Sequence, residues 1–252
     1  MIRHFAISAI ALALVVGAGV GSPVLAQRGP MVLTAPTDES RGDALNNPAL
    51  KGPEVIKFIG VKRGWRVAEL FSGRFTTALN QAVGPRGKLY AVTPTEIIKV
   101  HPEITDQIAK HKTEAAFKGV EFSTPSVNDL VLPDKLDAVF IRQNYHDLHT
   151  TIMGGPVDVP AFNRKVFAAL KPGGVFVILD HVALPGSGLA TPPRLHRIDP
   201  EIVKQEMTAA GFVFDGQSDV LHNTTDDHTK MVLDPAILGN TDQFLLRFKK
   251  PR

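Results

Sequence analysis

Short apolar runs alternate with amphipathic stretches along most of this chain. Val55, Ile56, Phe58 and Ile59 fall on one helical face, with Pro53 near the start and Gly60 near the end. A strand is expected over Arg66–Phe71, entered through the turn Lys62-Arg63-Gly64. A helix follows from about Phe75 to Val83, closed by Gly84-Pro85-Arg86-Gly87, and Lys88–Thr93 reads as the second strand. Thr95–His111 has helical spacing that His101-Pro102 interrupts. Val120–Ser123 and Leu136–Arg142 are further strands, and Phe162–Leu170 is a helix. Lys171-Pro172-Gly173-Gly174 reads as a sharp turn into the strand Val175–Asp180. Glu201–Ala210 is amphipathic, Gly211-Phe212 leads into another strand, and Phe244, Leu246 and Phe248 alternate along Gln243–Lys249. Strands separated by helices predict an α/β domain with a mostly parallel sheet covered on both faces. In such sheets ligands bind beyond the carboxyl ends of the strands.

The N-terminus follows a different pattern. Arg3 and His4 precede the apolar run Phe5–Val20, then Ser22-Pro23 and the small residues before Ala26. This is the layout of a secretory signal peptide over residues 1–26, with cleavage after Ala26 and a periplasmic or secreted product. An uncut membrane anchor is the alternative, although the run is short for a span of roughly 20 residues. Residues 27–52, rich in Pro, Gly, Asp and Asn, read as an extended arm, and residues 53–252 as the domain.

Composition narrows the chemistry. The 252 residues contain no cysteine, which excludes disulfides, thiolate metal sites and a thiol nucleophile. The net charge is +3 with Lys and Arg scattered, so no nucleic-acid surface is expected.

Several ordered segments carry a family resemblance. They are Gly64-Trp65-Arg66-Val67-Ala68-Glu69-Leu70, Ala82-Val83-Gly84-Pro85-Arg86-Gly87-Lys88-Leu89-Tyr90-Ala91, Asn144-Tyr145-His146-Asp147-Leu148 and Leu170-Lys171-Pro172-Gly173-Gly174. Asp180-His181, Leu195-His196-Arg197-Ile198-Asp199, Asp226-Asp227-His228 and Thr241-Asp242-Gln243-Phe244 complete the set. Together they resemble the class I S-adenosylmethionine-dependent methyltransferases, and more narrowly a branch of exported bacterial predicted methyltransferases. The resemblance implies a Rossmann-like seven-stranded sheet with helices on both faces and the last strand antiparallel. It also implies a transferase that takes S-adenosyl-L-methionine and a small-molecule substrate. Carried over by position, Glu69, Ser72, Gly73 and Thr93 would meet the cofactor, with Asn128 and Asp129 placed for its adenine. The sequence departs from the family in two places. The loop after the first strand keeps only Gly73, with Arg74 and Phe75 where the family has glycine and open space. Thr93 stands where the family has an acid for the ribose hydroxyls, and a hydroxyl lacks a carboxylate's paired acceptors.

The second half gathers histidines beside acids. Tyr145, His146 and Asp147 follow one strand and Asp180 and His181 end the next, so both groups are expected in the crevice. His196, Arg197, Asp227 and His228 lie on loops placed to close over it. His146 or His181 is a candidate general base, oriented by a neighbouring Asp. The competing reading is structural, with Asp–His and Arg–Asp pairs tying long loops to the sheet. A metal site is a third option, since His and Asp suit zinc, manganese or iron. No HxH or HExxH spacing points to one, and no ligand is assigned. The functional alternatives to a methyltransferase are therefore a binding protein that keeps the fold without the cofactor, or a His/Asp hydrolase, with or without a metal.

Overall fold

The computed structural model describes residues 42–252. The expected signal peptide and most of the expected arm lie outside the described residues. In chain order, β1 (Arg66–Leu70) is preceded by α1 (Gly52–Ile59) and followed by α2 (Thr76–Val83). Next come β2 (Lys88–Val92), α3 (Thr95–Val100), α4 (Glu103–His111), β3 (Glu121–Ser123) and β4 (Leu136–Arg142). The second half holds α5 (Val159–Ala169), β5 (Leu170–His181), α6 (Pro192–Leu195), α7 (Pro200–Ala209), β6 (Val213–Ser218) and β7 (Gln243–Lys249).

The strands form one seven-stranded sheet in the order β3-β2-β1-β4-β5-β7-β6. Pairing is parallel from β3 across to β5, and β7 runs antiparallel between β5 and β6. Alternation along the strands sorts the core into two layers. Ala68, Leu70, Val139, Ile141, Phe176 and Ile178 face α5 and α7, whose Phe162, Val166, Val203 and Met207 cover them. Val67, Ala138, Phe140, Val177 and Leu179 face α1 and α2, which contribute Val55, Ile59, Leu79 and Val83. Helices on both faces thus bury a sheet whose central strands are apolar on each side.

Of three local features, the first agrees with the sequence expectation and the other two differ from it. His101-Pro102 separates two helices outright, because proline cannot continue the hydrogen-bond ladder. The Lys171–Gly174 segment is a bulge within β5, not a turn ahead of it: Leu170 already pairs with Leu136, and pairing resumes at Ala138 with Val175. Gly173 has φ 79°, and its N–H donates to the Lys250 carbonyl. Residues 42–51 are folded rather than extended. Ala44 donates its N–H to the Arg74 carbonyl at 2.7 Å, and Ala44 and Leu50 are buried against the α1–α2 layer. A Cβ on Gly52 would stand 2.0 Å from the Ala44 carbonyl oxygen, so only glycine admits this approach.

Candidate functional site

A cavity of about 1040 Å³ opens at the carboxyl ends of the parallel strands. Its wall includes Ser72 and Gly73 after β1, Thr93 after β2, Arg142 at the end of β4 and His181 at the end of β5. The strand ends set this position, and the chain leaves two of them sharply. Phe71 and Gln143 both adopt φ 54°, a left-handed conformation that costs a non-glycine residue about 1 kcal/mol. Glu69, buried near the end of β1, organises the following loop. Its carboxylate accepts the Thr76 hydroxyl at 2.6 Å and the Gly73 N–H at 3.3 Å. Burial raises its pKa to about 7, against the hydrogen bonds of Thr76 and Gly73 and the attraction of Arg142. Ser72 and Thr93 hydroxyls share a 2.7 Å hydrogen bond across the β1 and β2 ends. An added Cβ on Gly73 would meet nothing nearer than 4.0 Å, so the backbone there is open to a ligand.

His181 is held from two sides. Its N–H donates to Asp180 at 2.7 Å, and its Nδ1 is 2.7 Å from the Thr241 hydroxyl. Nε2 has no partner among the described residues. Burial pulls the His181 pKa well below the ordinary value, reinforced by repulsion from His146, Arg142 and Arg197, so the ring is neutral. Arg142, half-buried in the wall, was in the sequence only the last residue of a strand; alternation along β4 gives no sign that it borders a cavity. Burial and repulsion from Arg74 lower its pKa to about 9, opposed by Glu69 and Asp180, and it remains a cation at neutral pH.

Beside this wall lies a tight polar cluster. Asp180, fully buried, accepts the His146 N–H at 2.9 Å and sits 2.7 Å from His146 Nδ1. His146 Nε2 lies 3.1 Å from His196 Nδ1 and 3.2 Å from Asp147 Oδ1. His196 Nδ1 and Asp147 Oδ1 are 3.1 Å apart. Burial disfavours charge on His146, but Asp147 and Asp180 outweigh it and raise its pKa to about 10. For Asp147 burial works the other way and is again outweighed, by His146 and His196, leaving it well below the usual carboxylate range.

Other candidates are taken up by structure. The Tyr145 hydroxyl donates to Glu206 on α7 at 2.6 Å and accepts from Asn163 on α5, so it joins two helices. Arg197 is fully buried and donates to the Lys230 and Val182 carbonyls and to Asp226. His228 Nε2 pairs with Asp242 at 2.9 Å, and exposed Asp227 accepts from Thr229. Asn128 and Asp129 are exposed and outside the cavity wall. The Asn128 side chain is spent on the Pro156 carbonyl and the Asp158 N–H. The structure thus gathers His146, Asp147, Asp180, His181 and His196, and sets Tyr145, Arg197, Asp227 and His228 to holding loops and helices.

No protein-family model matches this chain, and no curated protein matches it. Solved structures do. An S-adenosylmethionine-dependent methyltransferase from Aquifex aeolicus aligns with a TM-score of 0.53 at 20% identity, over 79% of this chain and 88% of that one. The fold is that of the S-adenosylmethionine-dependent methyltransferases. The N-methyltransferase NodS from Bradyrhizobium japonicum aligns with a TM-score of 0.53 at 11% identity, over 82% of this chain and 99% of its own. The cyclase SpnF aligns with a TM-score of 0.57 at 19% identity, over 84% of this chain and 83% of that one. At these identities the likeness concerns the fold, and a cyclase among the matches shows that the methyltransferase fold alone does not fix the reaction.

Proposed function

We propose that the cavity binds S-adenosyl-L-methionine and that the protein methylates a small anionic molecule. The supporting observation is the wall itself: an open glycine and two hydroxyls at the carboxyl ends of β1 and β2, and at the end of β5 a histidine whose ring is tethered only at Nδ1. These residues fit the cofactor. Gly73 leaves backbone free for close approach, and Ser72 and Thr93 present hydroxyls that accept and donate toward a ribose. The volume of about 1040 Å³ is ample for a cofactor and a second small molecule. Bound there, S-adenosylmethionine would supply an electrophilic methyl group. His181, neutral and with Nε2 unpartnered, accepts a hydrogen bond from the attacking hydroxyl or amine and aims that group's lone pair at the methyl group, and the proton leaves to water. Arg142 holds the acceptor's carboxylate or phosphate, and the remaining work is in-line positioning. The layout of residues 1–26 goes with export, so the acceptor in this reading is a periplasmic small molecule or envelope component.

Calorimetric titration with S-adenosylmethionine and S-adenosylhomocysteine tests this reading. Micromolar binding that survives His181→Ala, with loss of methyl transfer in that variant, is expected. A second reading, a binding protein that has lost the cofactor, draws on the Ser72–Thr93 pair, in which each hydroxyl already has a partner and no carboxylate stands at the β2 end. No binding at millimolar ligand, unimproved by Thr93→Asp, would favour that second reading over methyl transfer.

A further inference from the structure

We propose that His146, Asp147 and His196 form a binding site for one divalent first-row transition metal, separate from the cavity. Their facing atoms make a nearly equilateral triangle with edges of 3.1, 3.2 and 3.1 Å. A metal about 2.1 Å from each atom would set neighbouring octahedral ligands about 3.0 Å apart and tetrahedral ones about 3.4 Å apart. The observed edges fall between these values, nearer the octahedral face.

Hydrogen bonding alone does not account for the triangle. An imidazole nitrogen either donates or accepts, and an ionised carboxylate only accepts. To satisfy both edges at Asp147, His146 Nε2 and His196 Nδ1 must both donate. That leaves two N–H donors facing each other at 3.1 Å. A cation over the centre engages all three lone pairs at once.

The surroundings match a ligated centre. Asp180 lies 2.7 Å from His146 Nδ1 and holds the proton there, so a metal that displaces the Nε2 proton would meet a lone pair aimed at the triangle. Asn144 Nδ2 donates to the outer Asp147 oxygen at 2.9 Å. The carboxylates of Asp147 and Asp180 together balance a dication in a region where uncompensated charge is costly. His196 ends α6 with φ 52°, and ligation gives this strained residue a reason to hold its place. Two imidazoles and one carboxylate suit zinc, iron or manganese. His146 and Asp147 are buried, and the His196 side chain is 13% exposed, so access is from the His196 side.

Bound here, the metal cross-links two excursions of the chain. One is the segment just after β4. The other is the loop that leaves β5 at Val182 and returns beside it at Ile198. The three ligands are absent from the cavity wall, although His181 in that wall has its ring centroid 6.0 Å from that of His146.

The test uses the full-length chain, free of any histidine tag. Elemental analysis should find one equivalent of metal, and the stripped protein should bind one equivalent of Co²⁺ with visible d–d absorption. His196→Gln should weaken Co²⁺ binding by about a hundredfold or more, and Asp180→Asn, one shell out, by about tenfold to a hundredfold. Stripped His196→Gln should melt within a few degrees of the stripped parent, and its affinity for S-adenosylmethionine should match the parent's. Asp147→Asn provides a second ligand variant if His196→Gln proves unstable. Failure of Co²⁺, Zn²⁺, Fe²⁺ and Mn²⁺ to bind the parent chain, or equal Co²⁺ affinity in parent and ligand variants, would overturn the proposal.

Discussion

Glu69 couples the first strand to the loop at the cavity mouth, and its burial makes folding sensitive to pH. Its ordinary pKa of 4.5 rises to about 7 in the folded chain, with burial the largest cause. Below pH 4.5 the carboxyl is neutral in both states. Between 4.5 and about 7 the unfolded chain ionises while the folded one keeps its proton, so stability falls as pH rises. Above about 7 the loss is complete, at most about 3 kcal/mol. Glu69→Gln keeps the acceptor for Thr76 and should flatten the melting temperature between pH 5 and 7. An unchanged slope in that variant would assign the pH dependence to other groups. Arg197 shows the opposite case of a buried charge fully compensated, its guanidinium engaging two carbonyls and Asp226. It holds the loop after β5 against the Asp226 segment.

At the scale of elements, caps decide the boundaries. α5 begins at Val159 because Asp158 accepts the Ala161 N–H, and α7 begins at Pro200 because Asp199 accepts the Glu201 N–H. Asp199 also accepts the Gly186 N–H at 2.7 Å, tying the helix to the loop that carries His196. Asp199→Ala should therefore cost about 2 kcal/mol, the upper end for an N-cap, in denaturant unfolding. A cost of a few tenths would mean that the Gly186 contact adds nothing. The alternation of apolar and polar residues made the kinds and order of elements legible, since the central strands bury both faces and α1, α2, α5 and α7 bury one each. The helix starts read from apolar spacing alone fell later, at Phe162 and Glu201, because the capping aspartates carry no hydrophobic signal. The site was legible only as a population. His146 and His228 both neighbour an Asp in sequence, yet His146 meets Asp180 and His196 as well as Asp147, while His228 meets Asp242. Partners 14 to 50 residues away cannot be read from adjacency. For the same reason the triangle was invisible to motif spacing, with two ligands adjacent and the third on a separate loop.

Across the whole molecule stability is unevenly spread. β4 and β5 are enclosed by strands and by both core layers, whereas α4 has no buried residue and borders the cavity with Ile104 and Ile108. Native-state hydrogen exchange should find α4 amides opening locally, orders of magnitude faster than those of β4. A ligand filling the cavity should slow α4 selectively, and equal protection of α4 and β4 without ligand would refute the ranking. The position of β7 has a consequence for the order of assembly. β6 is synthesised before β7 but touches the sheet only through it. Until Gln243–Lys249 become available, β5 ends the sheet with an unpaired apolar edge and β6 has nowhere to dock. A chain halted between the two strands would therefore present a template for other chains, so the nascent protein stays vulnerable to self-association until β7 closes the gap.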